Sequence, residues 1–576
     1  MAGLLHAIVM HPIILAAKEA EPNLAVIAAL ADDATAVGTP DQLRHVVQIM
    51  ETMGPERGLT LSTDRSVPGK GKTQVWSPDP LFAATAEPDP LDSGTRKVSE
   101  PGFTLLGSPV GSQEFISQSL RKSIEKIKIT INQLLNIEDS QTEYCLLRAC
   151  FGLSKIGYLL RTTDTSPHMD LLALFDSIMH SALCELMGSA LSPTAAAQAA
   201  LPVSLGGLGL REARDHGPVS YVASVAATLG LIRQLIGPAA VDEGEVDEGE
   251  VEAGDVEAGD LEEQIVTCLL TPAVMARLAE VTGVEITRAE VMAGVSQKSL
   301  SRKVDEFNRE KLLETFANSP RDLARLAILA RPHSLDYLNT VPCANMRLRP
   351  DQWVIITRFN LGESVYPADK PCPTCGSVSD QGGMHAFVCG QFGGDQVSRH
   401  NLLRDNIYVL ARDAGLSPVK EARFLLPGGR RPADILVPNM GGILGPGETS
   451  RDLCCDTTVT FGLRECYINR TIEDGSYPAE AASIRKQNLV GDAVREHGLS
   501  FAALSWSSLG SMTPTTEKII TFMAKSKGLR SGFNVSKTIS NTFKILSVSL
   551  QKANSNLLLN RCPIINAPNV EDFNLL

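Results

Sequence analysis

The sequence lacks the signals that mark membrane and secreted proteins. No apolar run reaches the roughly 18 residues that a membrane span requires. The apolar N-terminus has no basic start followed by a small-residue cleavage site. The 12 cysteines are too scattered over 576 residues to form a disulfide framework. We therefore expect a soluble, intracellular protein, and its length predicts several folding units because one core does not grow this large.

The chain has fewer basic than acidic residues, and its formal net charge is −13. One segment causes this imbalance: residues 241–263 hold 12 of the 66 acidic residues and no basic residue. The rest of the chain has 54 acidic and 53 basic residues. The segment repeats VDEGE twice and VEAGD twice, which predicts a disordered, self-repelling linker. An acidic partner-binding segment is the alternative. The charge therefore does not exclude a nucleic-acid groove elsewhere.

The N-terminal half carries strand signals followed by long helical patterns. The predicted strands cover residues 24–31, 34–38, 59–61 and 103–106. Between the second and third strands, Thr39-Pro40 predicts the start of a helix that ends at Gly54. Apolar residues at helical spacing dominate 114–190 and 262–330.

The C-terminal third alternates helix and strand, which predicts a small mixed sheet flanked by helices. Its predicted helices cover residues 399–414, 480–497 and 515–525. Its predicted strands cover residues 423–425, 434–437, 453–460 and 501–506. The residues beyond 531 are polar, and we expect them to form a loose C-terminal tail. The whole chain is thus predicted to be an α+β, multidomain protein.

Two adjacent carboxylates, Asp32 and Asp33, stand at the turn between apolar strands in LAVIAALADDATAVGTP. Such a pair is costly unless it holds a cation. The segment resembles the palm domain of reverse transcriptases, with Leu30 at that family's aromatic position and with GLTLSTDRS and FTLLGSPVGS similar to the next motif and the primer-grip hairpin. LPVSLGGLGLREA is similar to the end of the thumb region in non-LTR retrotransposons. The resemblance implies a partial palm (1–112) and a helical thumb-like region (113–237).

The metal cage of this polymerase remnant is expected to be incomplete. Two-metal phosphoryl transfer needs a further aspartate on a neighbouring strand, which the family carries far upstream of the double aspartate. Only 31 residues precede Asp32, and none of them is acidic in that context. We therefore expect no polymerisation by this chain alone. A residual reverse transcriptase is the alternative if the true start lies upstream.

A second cluster, in CPTCGSVSDQGGMHAFVCG, spaces Cys372, Cys375, His385 and Cys389 as ligands of a closed, structural zinc site. Metal would supply the folding energy that this short loop lacks; a reduced, metal-free loop is the alternative. Non-LTR elements with a restriction-like endonuclease carry a similar segment just before that enzyme. The resemblance implies an acidic linker (238–263), a helical connector (264–370) and a zinc segment (371–396) that grips nucleic acid.

RRPADILV and LCCDTTVT place Asp434 and Asp456 at the starts of two hydrophobic strands, and Lys486 follows on the next helix. A metal-dependent nuclease needs a carboxylate pair for Mg²⁺ or Mn²⁺ and a cation that positions the attacking water. Glu421 could add a further carboxylate. Taken singly, each aspartate could be a turn residue and Lys486 a solvated helix residue.

This ordered set resembles the PD-(D/E)XK endonucleases, in the variant of non-LTR retrotransposons whose lysine lies on the following helix. The resemblance implies a restriction-like endonuclease at 397–530 followed by the tail at 531–576. It also implies that Arg399, Arg404 and Arg431 contact nucleic acid.

The sequence therefore predicts a retrotransposon-derived, nuclear protein with a metal-dependent DNA endonuclease that nicks target DNA. Its expected partners are the DNA target and element RNA, with no membrane, and its expected metals are structural Zn²⁺ and catalytic Mg²⁺ or Mn²⁺. The alternative is a catalytically inactive remnant that only binds nucleic acid.

Overall fold

The computed structural model describes residues 2–30, 33–63, 72–84, 90–92, 94–236, 258–391, 394–423, 425–427, 431–446 and 451–561. Within these residues the protein is a mixed α+β chain in which helix predominates. The helices are α1 (Ala2–Ala20), α2 (Pro40–Met53), α3 (Pro80–Ala84), α4 (Gln113–Leu134), α5 (Ser140–Leu146), α6 (Leu153–Thr162), α7 (Met169–Leu186), α8 (Pro193–Ala200), α9 (Ala213–Ile236), α10 (Ala258–Leu269), α11 (Pro272–Thr282), α12 (Arg288–Met292), α13 (Gln297–Thr315), α14 (Pro320–Leu329), α15 (Pro350–Leu361), α16 (His385–Val388), α17 (Asp395–Asp413), α18 (Ile468–Glu473), α19 (Tyr477–Lys486), α20 (Asp492–Glu496), α21 (Pro514–Ser531) and α22 (Val535–Leu559). The strands are β1 (Val26–Leu30), β2 (Asp33–Val37), β3 (Gln74–Val75), β4 (Arg96–Lys97), β5 (Gly102–Leu105), β6 (Ser108–Gly111), β7 (Lys370–Pro371), β8 (Val378–Ser379), β9 (Val419–Lys420), β10 (Ile435–Val437), β11 (Leu453–Thr460) and β12 (Ser500–Ser507).

The chain forms two compact units, each assembled from stretches that are separate in sequence. The first unit combines residues 1–126, 156–175 and 213–304, and the second combines 127–155, 176–212 and 305–576. Both units therefore take residues from the segment 113–237, which the sequence pattern predicts as one thumb-like region.

In the first unit, β1 and β2 form an antiparallel hairpin in which Leu30 pairs with Asp33. Helix α2 begins at an N-cap formed by Thr39, whose side chain accepts a hydrogen bond from the backbone of Gln42 while the Gln42 side chain bonds back to the cap. This capping box confirms the predicted helix start and satisfies two otherwise unpaired backbone donors. Apolar side chains of α1 and α2 cover one face of the hairpin.

Helices α9 to α12 form a second core of the first unit, built from aliphatic side chains such as Val222, Leu270, Leu278 and Val291. No single described helix combines the length and apolar content that crossing a membrane requires. The bent pair Glu263–Leu269 and Pro272–Thr282 meets that requirement only jointly.

The second unit contains a four-stranded sheet in the order β12-β11-β10-β9. Strands β9, β10 and β11 run antiparallel, while β11 and β12 run parallel. A parallel pair needs a crossover connection, and α18, α19 and α20 supply it between β11 and β12. Both sheet faces are covered, since β12 is buried along its whole length.

Helix α22 corrects the prediction of a loose tail beyond residue 531. Its apolar residues Phe543, Leu546 and Leu550 pack in the core between the sheet, α17 and α21. Polar residues on its buried faces form hydrogen bonds inside the protein; for example, Ser547 accepts a hydrogen bond from the backbone of Tyr337. Because of these polar residues, the sequence of this core helix looks like that of a solvated tail.

Most predicted elements of the C-terminal third agree with the structure, and β11 has the predicted bounds. The strand predicted at 423–425 is wrong in position, because the sheet edge is instead formed by β9, and residue 424 lies outside the described residues. Residues 59–61 form a loop rather than the predicted strand. There, left-handed Gly58 follows a short 3-10 turn, and no described strand pairs with them.

Candidate active site and metal centre

Asp434 and Asp456 lie on two neighbouring chain segments at the start of β10. The antiparallel register of β10 and β11 ends where Ile435 pairs with Cys455. Asp434 directly precedes β10, and its backbone N–H donates to the carbonyl of Cys455, at 3.1 Å. The charge of Asp434 acts on Asp456, and both carboxylates act on His400. The two carboxylates therefore lie close together beside the start of β10.

The crossover helices cover one face of the sheet, where Leu436 and Cys454 pack against Val494 of α20. Ile435 and Cys455 point from the other face into the core beneath α17, α21 and α22. Asp456 alternates with Cys455 along β11 and so lies on the face of the crossover helices, whereas the carboxylate of Asp434 contacts α17.

Lys486, the last residue of α19, brings its ammonium nitrogen within 2.7 Å of Oδ2 of Asp456. The contact is an ion pair at hydrogen-bond distance. Burial raises the pKa of the Asp456 carboxyl and the charge of Asp434 adds to that rise, while Lys486 and His400 oppose it. The carboxylate of Asp456 is therefore partly shielded from water, and its charged form is disfavoured.

The carboxylate of Asp434 is fixed by two donors. Its Oδ2 accepts a hydrogen bond of 2.7 Å from the backbone N–H of Thr457 and lies 3.0 Å from Nε2 of His400 on α17. The bond to Asp434 raises the pKa of His400. Sequence reasoning missed His400, although it stands inside the RHNLLRD segment, because one histidine on a helix has no diagnostic spacing.

Glu421 lies beside the pair but its carboxylate is occupied. Its backbone N–H donates to the carbonyl of Asp434, at 2.7 Å. Its two carboxylate oxygens accept hydrogen bonds of 2.6 Å each from Arg404 and Arg431. Arg404 also bonds Asp405. Arg404, only 10% exposed, thus braces the site in place of the open phosphate contact that the sequence predicted, whereas the side chain of Arg431 is 50% exposed and its phosphate contact stays a prediction.

Arg399 contradicts its predicted role in binding nucleic acid. The residue is 5% exposed, and its guanidinium donates to Oδ1 of Asn554 on α22, at 3.0 Å. Burial without a carboxylate partner lowers its pKa to about 10. Arg399 falls on the apolar stripe of α17 with Leu403 and Ile407, which are fully buried, so helical periodicity turns it inward.

The four predicted zinc ligands come together in the second unit. Their ligand atoms all lie within 4.8 Å of one another. Sγ of Cys372 lies 4.0 Å from Sγ of Cys389, and Sγ of Cys375 lies 3.2 Å from Nε2 of His385. Tetrahedral zinc, with bonds of about 2.0 Å to nitrogen and about 2.3 Å to sulfur, keeps its ligands about 3.3–3.8 Å apart. The cluster can therefore bind a metal ion such as zinc.

Local backbone geometry sets these ligands. The β7–β8 hairpin carries the Cys372–Cys375 knuckle, in which Gly376 adopts φ +75° and donates to the carbonyl of Cys372. The carboxylate of Asp380 caps α16 by accepting from the backbone N–H of His385, at 2.8 Å. Hydrogen bonds from Ser377 lower the pKa of Cys375 to about 7, which favours the thiolate that zinc requires.

Within the described residues, these four side chains form the one group of three or more potential metal ligands that lie so close. Asp434 and Asp456 therefore offer a two-carboxylate site rather than a closed cage. In the first unit, Asp33 is exposed at the start of β2 and belongs to no such group among the described residues. Its predicted companion Asp32 lies outside the described residues.

A scan against models of known protein families found no match to this chain, and a search of curated proteins found none either.

Proposed function

We propose that this protein is a metal-dependent DNA endonuclease of the PD-(D/E)XK type, derived from a non-LTR retrotransposon. One observation carries the proposal: Asp434, directly before β10, lies close to Asp456 on the neighbouring strand β11, and the ammonium of Lys486 contacts Asp456. Two half-buried carboxylates beside a lysine are costly to fold and are typical of sites that handle a cation and a phosphate.

The donor set fits Mg²⁺ or Mn²⁺, which prefer carboxylate oxygens. Asp434 and Asp456 would hold the ion, and Oδ2 of Asp456, now paired with the ammonium of Lys486, is an oxygen that could bind it. When bound, such an ion supplies Lewis acidity at the scissile phosphate.

The protein's own groups have separable roles in this proposal. Lys486 would orient the attacking water and offset negative charge that develops on the phosphate. His400 and the backbone of Thr457 hold the Asp434 carboxylate in one orientation. Glu421, held by two arginines, fixes the edge strand beside Asp434 and makes no contact with the reacting atoms.

Nicking of supercoiled plasmid by the full-length protein tests the proposal. We expect nicking that requires added Mg²⁺ or Mn²⁺ and falls by about 100-fold or more in Asp434→Asn, since one electrostatic contact to the reacting group is typically worth 10²–10³-fold. Asp413→Asn is the matched control, because Asp413 pairs with Lys527 and has no role in the site. Equal nicking by Asp434→Asn and wild type contradicts the proposal. Salt-sensitive DNA binding without nicking supports the inactive-remnant alternative instead.

The other parts of the chain take supporting roles in this proposal. The zinc segment would grip the DNA target or element RNA beside the nuclease. The hairpin bearing Asp33 would be a palm remnant without polymerase activity in this chain alone. Primer extension on an RNA template by the purified protein would contradict that second statement. A nuclear location follows from a DNA target.

A further inference from the structure

Two tyrosines and two arginines form a network on the crossover between β11 and β12. The rings of Tyr467 and Tyr477 meet edge to face, with centroids 5.9 Å apart. Arg470 on α18 donates to the hydroxyl of Tyr477, at 3.1 Å, and its guanidinium lies 5.3 Å from the centroid of that ring. Arg485 on α19 donates to the hydroxyl of Tyr467, at 3.4 Å. The phenols therefore hold both cationic side chains in place.

The positive charges of this network are uncompensated. Arg470 and Arg485 are both exposed, and neither lies within 4.0 Å of a carboxylate among the described residues, in contrast to Arg404 and Arg431. The acidic residues on the same crossover are Glu465, Glu473, Asp474, Glu480, Asp492 and Glu496. Of these, Asp474 bonds the backbone N–H of Ser476 and lies 3.9 Å from Arg331. The two guanidinium groups thus remain available to an external anion.

The network lies next to the carboxylate site along the chain. Strand β11 carries Asp456 and leads directly into the loop and helix that hold Tyr467 and Arg470. Helix α19 ends in Arg485 followed by Lys486, the residue whose ammonium contacts Asp456. Arg485 therefore lies on the same helix end as Lys486, one position before it.

The chemistry of the network favours phosphate over other anions. A guanidinium has five N–H donors in a planar fork, so one bond to a phenol leaves most of them free. That fork matches the paired oxygens of a phosphate. Holding the side chain in advance also reduces the rotamer entropy that binding would cost.

We propose that Arg470 and Arg485, buttressed by Tyr477 and Tyr467, form a clamp for backbone phosphates of the DNA strand that enters the Asp434–Asp456 site. This inference rests on the proposed endonuclease function, because that function supplies the DNA substrate. It replaces the phosphate contacts that the sequence assigned to Arg399 and Arg404, which the fold uses internally.

Salt-dependent binding of a fluorescent DNA duplex to the full-length protein tests the clamp, with no divalent cation and no chelator added. The logarithm of the binding constant falls as the logarithm of salt concentration rises, and each lost phosphate contact reduces the steepness of this fall by about 0.9. The double variant Arg470→Met with Arg485→Met should therefore have a slope that is shallower by about 1.8. When the salt concentration rises fourfold, the affinity of wild type should fall by about tenfold more than that of the double variant. Arg495→Met is the matched control, because Arg495 is an exposed arginine that pairs with Asp492.

Thermal melting of each variant shows whether it folds, and protection of Arg470 and Arg485 from phenylglyoxal by DNA gives a second readout on the unaltered protein. Protection together with the reduced slope supports the clamp. An unchanged slope, or equal modification of both arginines with and without DNA, overturns it and leaves the network as surface packing only. Nicking that survives in the double variant with wild-type affinity rejects the clamp but not the endonuclease. Clamp-dependent binding without nicking rejects the endonuclease but not the clamp.

Discussion

The ammonium of Lys486, on the crossover that follows β11, lies 2.7 Å from a carboxylate oxygen of Asp456 on that strand. Lys486 is the last residue of its helix, and Asp456 lies on the face that this helix covers. The parallel pairing of β11 with β12 forces the chain across that face, so the topology of the sheet delivers the lysine to the acid. The same contact makes the site sensitive to pH.

Lys486→Met should destabilise the protein most at neutral and alkaline pH. Burial already raises the pKa of Asp456, and removing Lys486 removes its largest opposing influence. An acid whose folded-state pKa is raised binds protons more tightly in the folded protein, so stability falls as pH rises through that pKa. We expect a loss of about 1–3 kcal/mol at pH 7.5, less than for a fully buried pair because Lys486 is 35% exposed.

Urea unfolding at pH 7.5 and at pH 4.5 checks this prediction, with divalent cations omitted from the buffer. The difference between variant and wild type should shrink at the lower pH, because protonation of Asp456 removes the negative charge that Lys486 offsets. A difference that is constant or larger at pH 4.5 would show that Lys486 acts by packing alone.

The Cys-Cys-His-Cys cluster should hold zinc and stabilise the second unit. Purified protein should contain about one zinc ion per chain. The variant Cys375→Ser should lose this zinc and melt at a lower temperature, because an ion that binds only the folded state adds its binding free energy to the free energy of unfolding. Elemental analysis and thermal melting measure the two effects. Cys343→Ser is the control, since Cys343 is exposed and distant in sequence from the cluster. Full zinc content in Cys375→Ser would contradict the assignment.

Helix α22 should be essential to the fold of the second unit. Phe543 is 2% exposed and stacks on His333, with centroids 3.7 Å apart, so Phe543→Ala should cost about 3–5 kcal/mol of unfolding free energy. Phe533, also a phenylalanine, is 67% exposed just before the helix, and its replacement by alanine should change stability by less than about 0.5 kcal/mol. Equal effects of the two substitutions would mean that α22 does not dock.

Arg399→Ala should weaken the fold without weakening DNA binding. The substitution leaves a cavity and removes the donor to Asn554, and an unsatisfied buried acceptor costs about 1–3 kcal/mol. The salt slope of DNA binding should match that of wild type. A slope shallower by about 0.9 would restore the phosphate role that the sequence first indicated.

Local sequence patterns located the two carboxylates and the zinc ligands because each lies in a short motif. Asp434 directly precedes β10, and Asp456 lies within β11, the strand that pairs with β10. The four zinc ligands lie within one loop-rich segment whose spacing is itself the signal. Lys486 was found through family resemblance, since nothing in its own neighbourhood distinguishes it from a solvated lysine.

Other residues could not be located by local reasoning because their environment is set by distant parts of the chain. The polar residues of α22 looked like a solvated tail, yet Asn554 bonds the carbonyl of Ser508 at 2.6 Å in the interior. The burial of Arg399 could have been predicted from its place on the apolar stripe of α17. Its positive charge instead led to the prediction of an exposed phosphate contact. The tyrosine–arginine network spans two helices and a loop, so only the fold brings it together.

Anomalous scattering from crystals of the protein soaked in MnCl₂ tests the central claim most directly. The account predicts a manganese peak bonded to carboxylate oxygens of both Asp434 and Asp456, at about 2.1 Å as for other hard divalent ions, and its loss in Asp434→Asn. Manganese that binds elsewhere, with both carboxylates bonded only to Lys486 and His400, would contradict it.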